Sequence, residues 1–204
     1  MSAPKTPTVA ILAGINGAGK STASRDILQG LLRIPVFVNA DTIARGLNAF
    51  DVDSEAAKAG RIMLEHLRDL AGRGRSFALE TTLAGRAYAS WLASLRPLGY
   101  DVQLFYYWLE SPDLAIARVA QRVRSGGHHV PDDTVRRRYR LSVRNFFRLY
   151  RPLAEHWRVY DNTHGPPRLL AVGCGEREHL IDGDRWLDFV RSASDGGTDA
   201  GSDA

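Results

Sequence analysis

Cysteine and long apolar segments are scarce in this chain of 204 residues, and each shortage excludes a class of protein. The single cysteine, Cys174, rules out an intramolecular disulfide framework. The longest apolar runs, such as residues 104–109, are far too short to span a bilayer. Residues 1–8 lack the charged and apolar regions of a signal peptide. We therefore expect a cytoplasmic protein that does not enter the membrane.

Lysine is also scarce, and this makes the basic character of the chain unusual. Of the 27 basic residues only Lys5, Lys20 and Lys58 are lysines, so the net charge of +4 comes mainly from arginine. Ten arginines lie between Arg118 and Arg151, where the only acids are Asp132 and Asp133. Such a stretch predicts an anionic partner.

Short β-rich apolar runs alternate with segments of helical spacing along most of the chain. The runs are residues 8–13, 35–39, 76–81, 102–109 and 157–160. This alternation predicts an α/β fold of three layers, α/β/α, whose mostly parallel sheet has five strands. We expect one domain over residues 1–191, in which 168–191 add a short strand and a helix. Residues 192–204 are rich in Ser, Gly, Asp and Ala, and we predict that this tail is disordered.

The first apolar run is followed directly by the sequence Gly-Ile-Asn-Gly-Ala-Gly-Lys-Ser at residues 14–21. This fits the P-loop pattern G-x-x-x-x-G-K-[ST], in which backbone N–H groups surround a phosphate and the hydroxyl reaches Mg²⁺. The motif predicts a P-loop NTPase with ATP and Mg²⁺ as cofactors. GTP is disfavoured, because no lysine after Lys58 can complete the guanine-binding Asn-Lys-x-Asp motif. The predicted nucleotide-binding residues are Gly14, Asn16, Gly17, Ala18, Gly19, Lys20, Ser21 and Thr22.

Two acidic residues follow the next strands of the predicted sheet. Asp41 follows the second strand, where a carboxylate can accept the proton of an acceptor hydroxyl or orient that acceptor. The alternative for Asp41 is an N-cap of a helix over residues 42–46. Glu80 ends the third strand, where it is either the second ligand on the Mg²⁺ side, beside Ser21, or a surface acid.

The arginine-rich segment 118–138 contains the pair Gly126-Gly127, which interrupts the helical pattern. A helical lid with a glycine hinge can neutralise a transferring phosphoryl group and exclude water, so we predict such a lid here. Most of its arginines are expected to form the solvated face of a helix. His128 and His129 have no cysteine or acid at metal-ligand spacing, which disfavours a metal site.

Taken together, the motifs resemble those of the zeta toxin family of P-loop kinases. The resemblance covers about residues 8–165 and rests on the segments 14–21, 39–44, 80–86, 118–123, 126–131 and 161–162. It implies an ATP-dependent kinase that phosphorylates a sugar hydroxyl of UDP-N-acetylglucosamine, with a possible antitoxin protein as partner. It also implies that Asp41 is the catalytic base and that Asp41, Glu80, Thr82 and Arg86 bind the sugar nucleotide.

The resemblance also implies two lid arginines, of which Arg118 matches the first. The second falls near His128, and Arg122, Arg124 and Arg137 are the candidates to take its role. The predicted catalytic residues are thus Lys20, Asp41, Arg118 and Arg122.

Two alternatives remain open from the sequence. The chain can be an ATP-binding or ATP-hydrolysing protein that uses another small-molecule acceptor. It can also be a nucleotide-gated protein that contacts RNA or DNA through the basic helix at 134–151, although nucleic acid is the less favoured partner.

Overall fold

The computed structural model describes residues 6–52, 54–175 and 177–194. The strands are β1 (Thr8–Gly14), β2 (Phe37–Asn39), β3 (Phe77–Thr81), β4 (Asp101–Trp108), β5 (His156–Asp161), β6 (Arg168–Cys174) and β7 (Arg177–Leu180). The α-helices are α1 (Lys20–Arg25), α2 (Ala40–Leu47), α3 (Ala56–Gly72), α4 (Ala87–Ala93), α5 (Pro112–Arg124), α6 (Asp132–Asn145) and α7 (Gly183–Ser194). Single π-helical segments continue α1 (Asp26–Leu31) and α6 (Phe146–Tyr150), and short 3₁₀ turns lie at Arg96–Leu98 and Arg151–Leu153.

All strands belong to one sheet in the order β2-β3-β1-β4-β5-β6-β7. Strands β1 to β5 are mutually parallel; β6 pairs antiparallel with β5, and β7 pairs antiparallel with β6. After β1 the chain forms β2 and β3 on one side of β1, and it later forms β4 on the other side of β1. In an open parallel sheet, the crevice at such a switch point is where ligands bind. The predicted α/β fold, with a mostly parallel sheet and helices on both sides, is confirmed.

The predicted number of five strands is wrong, because the sheet has seven. The segment after Pro167 forms two strands, β6 and β7, rather than one. β6 packs closely on β5: a Cβ atom at Gly173 would lie 2.1 Å from the Trp157 ring, so only glycine fits there. The residues of β7 are all exposed, which explains why their sequence carries no apolar signal.

Strand β4 forms the centre of the core. Its last five side chains are all buried, including Tyr106, Tyr107 and Trp108. Their polar atoms have partners on α6: the Tyr106 hydroxyl lies 2.8 Å from Ser142 Oγ, and Trp108 Nε1 donates to the Tyr139 hydroxyl at 3.1 Å. Burial raises the pKa of the Tyr106 phenol above its ordinary value, because it disfavours the phenolate. These contacts fix α6 against the sheet.

The first residues of the predicted disordered tail differ from the prediction. The residues 192–194, predicted to be disordered, form the last turn of α7, which packs Trp186 and Phe189 into the core. The rest of the predicted tail, 195–204, lies outside the described residues. Among the described residues, no helix has the length and apolar character needed to cross a membrane.

Candidate active site

The glycine motif forms a turn between β1 and α1 that only glycine can adopt at its key positions. Gly14, Gly17 and Gly19 have φ values of 137°, 82° and 78°, which side chains of L-residues rarely tolerate. At Gly14 a Cβ atom would also lie 2.2 Å from the carbonyl oxygen of Tyr107. The turn therefore has the close, side-chain-free backbone that a phosphate cradle requires, and the residues present fit ATP.

Lys20, Ser21 and Glu80 form a polar cluster at the start of α1. Ser21 Oγ donates to Glu80 Oε2 at 2.8 Å, and Lys20 Nζ lies 3.6 Å from Glu80 Oε1. Lys20 Nζ also donates to the backbone carbonyl of Ile15 at 3.0 Å. A hydroxyl beside a carboxylate is an oxygen donor set that suits Mg²⁺, which takes one or two carboxylates and otherwise phosphate and water.

The Lys20 ammonium is buried, and this burial acts on its pKa. Burial lowers the pKa of Lys20 below its ordinary value, while the negative charges of Glu80 and Asp41 act in the opposite direction. The two carboxylates therefore help to keep a buried lysine charged.

Asn39 links this cluster to Asp41. Its Nδ2 donates to Glu80 Oε2 at 2.9 Å, and its Oδ1 accepts hydrogen bonds from the backbone N–H groups of Asp41 (2.8 Å) and Thr42 (3.3 Å). Asn39 is thus the N-cap of α2, and the alternative of Asp41 as a cap is wrong. Asp41 lies in the first turn of α2, with its side chain half exposed and directed at His128, whose Nε2 is 3.8 Å from Asp41 Oδ2.

The predicted lid consists of the end of α5, a loop and the start of α6. Gly127 lets this loop pack on Arg122, because a Cβ atom there would lie 2.6 Å from Arg122 Cγ. Arg122 holds the loop through a hydrogen bond from NH2 to the carbonyl of His128 at 3.1 Å. Its Nε atom is buried without a hydrogen-bond partner among the residues described, so this donor is available to an anion.

A pocket of about 400 Å³ joins these groups. Seven of the predicted site residues line it: Asn16, Lys20, Ser21, Asp41, Glu80, Thr82 and Arg122. The remaining predicted residues are placed around it. Gly14, Gly17, Ala18 and Gly19 form the P-loop backbone, whereas Thr22 is exposed on α1 and Arg86 is exposed at the start of α4.

Arg118 lies behind the P-loop rather than in this pocket. Its Cβ atom would lie 3.2 Å from a Cβ at Gly17, and its NH2 donates to the carbonyl of Thr163 at 2.9 Å. The neighbouring Asn162 donates through Nδ2 to the carbonyl of Ala18 at 2.8 Å. The segment after β5 thus supports the P-loop from outside.

A charged network fixes that supporting segment. Arg185 on α7 donates from Nε to Asp161 Oδ2 at 2.8 Å, and its guanidinium lies 4.8 Å from the centre of the Trp108 ring. Burial alone would raise the pKa of Asp161, but hydrogen bonds from Thr163 and Arg185 outweigh it and hold the pKa below its ordinary value. Asp161 is therefore held as a carboxylate at the edge of the site.

The comparisons with known proteins agree with this arrangement. A family model described as an AAA domain matches residues 9–143, well over half of the chain. The chain belongs to this AAA domain family. The match covers the P-loop, both acid-bearing strands and the predicted lid.

Similar proteins show the same fold at low identity. An uncharacterised protein of Haemophilus influenzae is 30% identical to this AAA domain protein over 126 residues, 62% of this chain and 88% of the relative. The structure of AvrRxo1-ORF1 with AvrRxo1-ORF2 and ATP has a TM-score of 0.72 at 15% identity, over 97% of this chain and 66% of that chain. The PezAT toxin–antitoxin system of Streptococcus pneumoniae gives a TM-score of 0.61 at 16% identity, over 95% and 88% of the two chains. The chain therefore shares the P-loop NTPase-like α/β fold of these structures.

The AAA domain's pocket also has lining residues that were not among the predicted site residues, and Arg138 and Tyr88 are two of them. Arg138 on α6 donates from NH1 to Asn16 Oδ1 at 3.3 Å, and Tyr88 on α4 lines the pocket. The helical spacing of α6 could have indicated Arg138. Arg138 and Asn145 are seven residues apart, which is two helical turns, so they share a face of α6 that lies beside its apolar face. Asn145 lies on this face too and bonds the carbonyl of Leu83 at 2.7 Å.

No group of three or more His, Cys, Asp or Glu side chains within residues 6–52, 54–175 and 177–194 is arranged to hold a metal ion. Ser21 and Glu80 remain the predicted metal ligands, since Mg²⁺ that accompanies a nucleotide takes most of its ligands from phosphate and water.

Proposed function

We propose that this protein is an ATP-dependent kinase that phosphorylates a hydroxyl group of a nucleotide sugar. One observation carries the proposal: the Lys20–Ser21–Glu80 cluster and the Asp41 carboxylate line the same pocket of about 400 Å³. Donor and acceptor groups of a phosphoryl transfer have to meet in one enclosed space. This pocket offers both within one cavity.

On the donor side, the P-loop backbone and Lys20 bind the phosphates of ATP, and Arg122 and Arg138 face the same pocket from α5 and α6. These cations balance negative charge on the phosphoryl group as it moves. Ser21 and Glu80 would hold Mg²⁺, which would neutralise further charge on the phosphate oxygens.

On the acceptor side, Asp41 takes up the proton of the attacking hydroxyl. As the new oxygen–phosphorus bond forms, the bond from the γ-phosphorus to ADP breaks and the proton passes to the carboxylate. The position of Asp41 in the first turn of α2, fixed through the cap by Asn39, supports this role. Thr82 lines the acceptor side, and Arg86 lies exposed near it as a contact for the larger part of the substrate.

The choice of acceptor rests on the resemblance to zeta toxin kinases, and UDP-N-acetylglucosamine is the first candidate. The fold shared with the PezAT toxin–antitoxin system adds support for a cytoplasmic toxin held by an antitoxin partner.

A direct test is an acceptor screen that measures ADP release and the ³¹P spectrum of the product. Wild-type protein should form a new sugar phosphate from UDP-N-acetylglucosamine, and Asp41→Asn should lower kcat by about 10²- to 10⁴-fold. Asp69→Asn is the matched control, because Asp69 is an exposed acid on α3 paired only with Arg73. An Asp41→Asn protein with undiminished transfer would show that Asp41 is not the base.

A second candidate function is the binding of nucleic acid, which one surface feature favours. Arg137, Arg140, Arg144 and Arg148 follow one another at intervals of three or four residues along α6 and its π-helical continuation. In the part of the chain that the structure describes, none of them forms an ion pair with an acid. A row of unpaired cations of this kind is suited to a phosphate backbone.

The nucleic-acid candidate is tested by RNA binding at two salt concentrations. Phosphate contacts predict an affinity that falls steeply with salt and a shallower slope for the double variant Arg140→Ala and Arg144→Ala. The control is Arg61→Ala with Arg68→Ala, which removes the same charge from the exposed face of α3. If wild-type protein fails to bind RNA at low salt, this function is excluded.

A further inference from the structure

Another cavity, of about 320 Å³, lies on the antiparallel part of the sheet, where β5, β6 and β7 run side by side. It shares no lining residue with the pocket that contains Lys20 and Asp41. That pocket takes its strand residues from β2 and β3, which lie on the other side of β4 in the sheet order. The two sites are therefore separate.

Strand pairing brings six of the residues that line this cavity onto one face of the sheet. They form two rows across β5, β6 and β7, in which the members of a row lie opposite one another in register: His156–Cys174–Arg177 and Arg158–Val172–His179. Residues two apart along a strand share a face. Neighbouring strands are about 4.8 Å apart, so the four nitrogen-bearing side chains are the corners of a patch about 10 Å wide. We call this patch of six residues the basic face.

The positive charge of the basic face is not balanced by an acid among the described residues. Neither Arg158 nor Arg177 forms an ion pair with another described residue. Glu178 also lines the cavity, but it lies between Arg177 and His179 on β7 and so points to the opposite face, where it pairs with Arg151. The two arginines therefore give the basic face a formal charge of +2.

Arg158 is held in place by a contact that leaves its hydrogen-bond donors available. Its guanidinium lies 5.3 Å from the centre of the ring of Phe105, the residue opposite it on β4. A stacked guanidinium still presents N–H groups along its edge, in a planar fork that matches the oxygens of a phosphate. Cys174 and Val172 lie at the centre of the basic face, between the two arginines, and provide a less polar surface.

We propose that the basic face binds a small metabolite that carries a phosphate monoester group. Arg158 and Arg177 donate hydrogen bonds to the phosphate oxygens, and His156 and His179 border the same group. The carbon part of the metabolite lies on the central residues. A phosphate monoester has a charge of about −1.5 to −2 at pH 7, which matches the formal charge of the two arginines. This site is additional to the ATP pocket and does not depend on the proposed kinase activity.

The single cysteine of the chain allows this site to be tested by a footprint. Cys174 is exposed at the centre of the basic face, so iodoacetamide can alkylate it and a bound ligand should shield it. Mass spectrometry measures the alkylation rate at increasing concentrations of glycerol 3-phosphate. At about ten times the Kd the rate should fall by about tenfold, because about one site in ten is then empty. Glycerol, which lacks the phosphate, should leave the rate unchanged. Since the footprint reports on Cys174 alone, binding of the probe to the P-loop does not affect it.

Two variants test the role of the arginines. Arg158→Ala and Arg177→Ala should each raise the concentration of glycerol 3-phosphate needed for half-maximal protection by about tenfold, because each removes a charged hydrogen-bond donor. Arg68→Ala is the matched control, an exposed arginine on α3 outside the cavity, and it should leave that concentration unchanged. Far-ultraviolet circular dichroism checks that each variant is folded.

Four results would overturn the proposal. The first is an unchanged alkylation rate in wild type at millimolar glycerol 3-phosphate, and the second is equal protection in wild type and both arginine variants. The third is protection by succinate at the same or a lower concentration, which would show that any dianion binds. The fourth is protection by an acidic peptide but not by glycerol 3-phosphate, which would make this part of the sheet a docking surface for a protein partner.

Discussion

The contact between Gly19 and Asn162 gives a quantitative test of how the P-loop is supported. Gly19 has a φ of 78°, and a Cβ atom there would lie 2.5 Å from Asn162 Nδ2. That amide is not free to move away without loss, because it donates to the carbonyl of Ala18 at 2.8 Å. We therefore predict that Gly19→Ala breaks the hydrogen bond between Asn162 and Ala18 in addition to straining the backbone.

The expected loss of stability in Gly19→Ala follows from these two effects. A left-handed backbone conformation costs an alanine about 1–2 kcal/mol. A buried group left without its hydrogen bond costs about 1–3 kcal/mol. Gly19→Ala should thus lower the free energy of unfolding by about 2–5 kcal/mol, and Asn162→Ala by about 1–3 kcal/mol. Since one hydrogen bond can be lost only once, the double variant should be no less stable than Gly19→Ala alone.

Urea denaturation of wild type, both single variants and the double variant measures this coupling. Gly74→Ala is the control, because Gly74 has a φ of 63° but a Cβ atom there would meet no described atom within 4 Å. Gly74→Ala should lower the free energy of unfolding only by the cost of the left-handed backbone. Its loss of stability should add to that of Asn162→Ala in a double variant. The reasoning is refuted if Gly19→Ala and Asn162→Ala are additive within about 0.5 kcal/mol, or if Gly19→Ala costs no more than Gly74→Ala.

Three further predictions concern stability. Because burial lowers the pKa of Lys20, the folded state carries a penalty for the charged lysine that fades as the pH rises toward the ordinary lysine pKa; the stability of wild type relative to Lys20→Met, measured in urea, should therefore rise over that pH range. Gly173→Ala should lower the thermal midpoint through an overlap with Trp157 worth about 1–3 kcal/mol, and an unchanged midpoint would contradict the packing of β6 on β5. Tyr106→Phe should cost about 1–3 kcal/mol in chemical denaturation by leaving Ser142 without its partner, whereas adding Ser142→Ala should restore part of that loss.

Much of the fold was predictable because its signals are local. The strand before the P-loop and the glycine motif itself lie within fourteen consecutive residues. The convergence of Asn39 and Glu80 was also predictable in principle, since they end neighbouring parallel strands and pair directly in register. Side chains at the carboxyl ends of parallel strands meet at one edge of the sheet.

Two features could not be predicted from local sequence signals: the added strand β7 and the support of the P-loop by Asn162. Strand β7 is exposed along its length and therefore shows no alternation of apolar and polar residues. The support of the P-loop by Asn162 joins residues 144 positions apart. Such a contact follows from tertiary packing, and no pattern within a short window of sequence contains it.

The predicted lid shows why the role of individual arginines depends on the tertiary structure. Arg118 and Arg122 are one helical turn apart on α5, yet Arg118 bonds the segment after β5 and Arg122 lines the pocket. Arg138 enters the same pocket from the other side of the lid loop. With Lys20, the pocket is thus lined by three basic side chains against the two carboxylates Asp41 and Glu80, a formal net charge of +1 without the histidine.

The positions of Arg122, Arg138 and the lid loop bear on how the predicted lid can work. The two arginines belong to different helices and contact different partners, so neither depends on the other for its position. The lid loop itself meets the acceptor side, through His128 and the Asp41 carboxylate 3.8 Å away. A movement of this loop would therefore alter the surroundings of the proposed base together with those of the transferring phosphoryl group. We therefore predict that closure of the lid and the surroundings of Asp41 are linked through this loop.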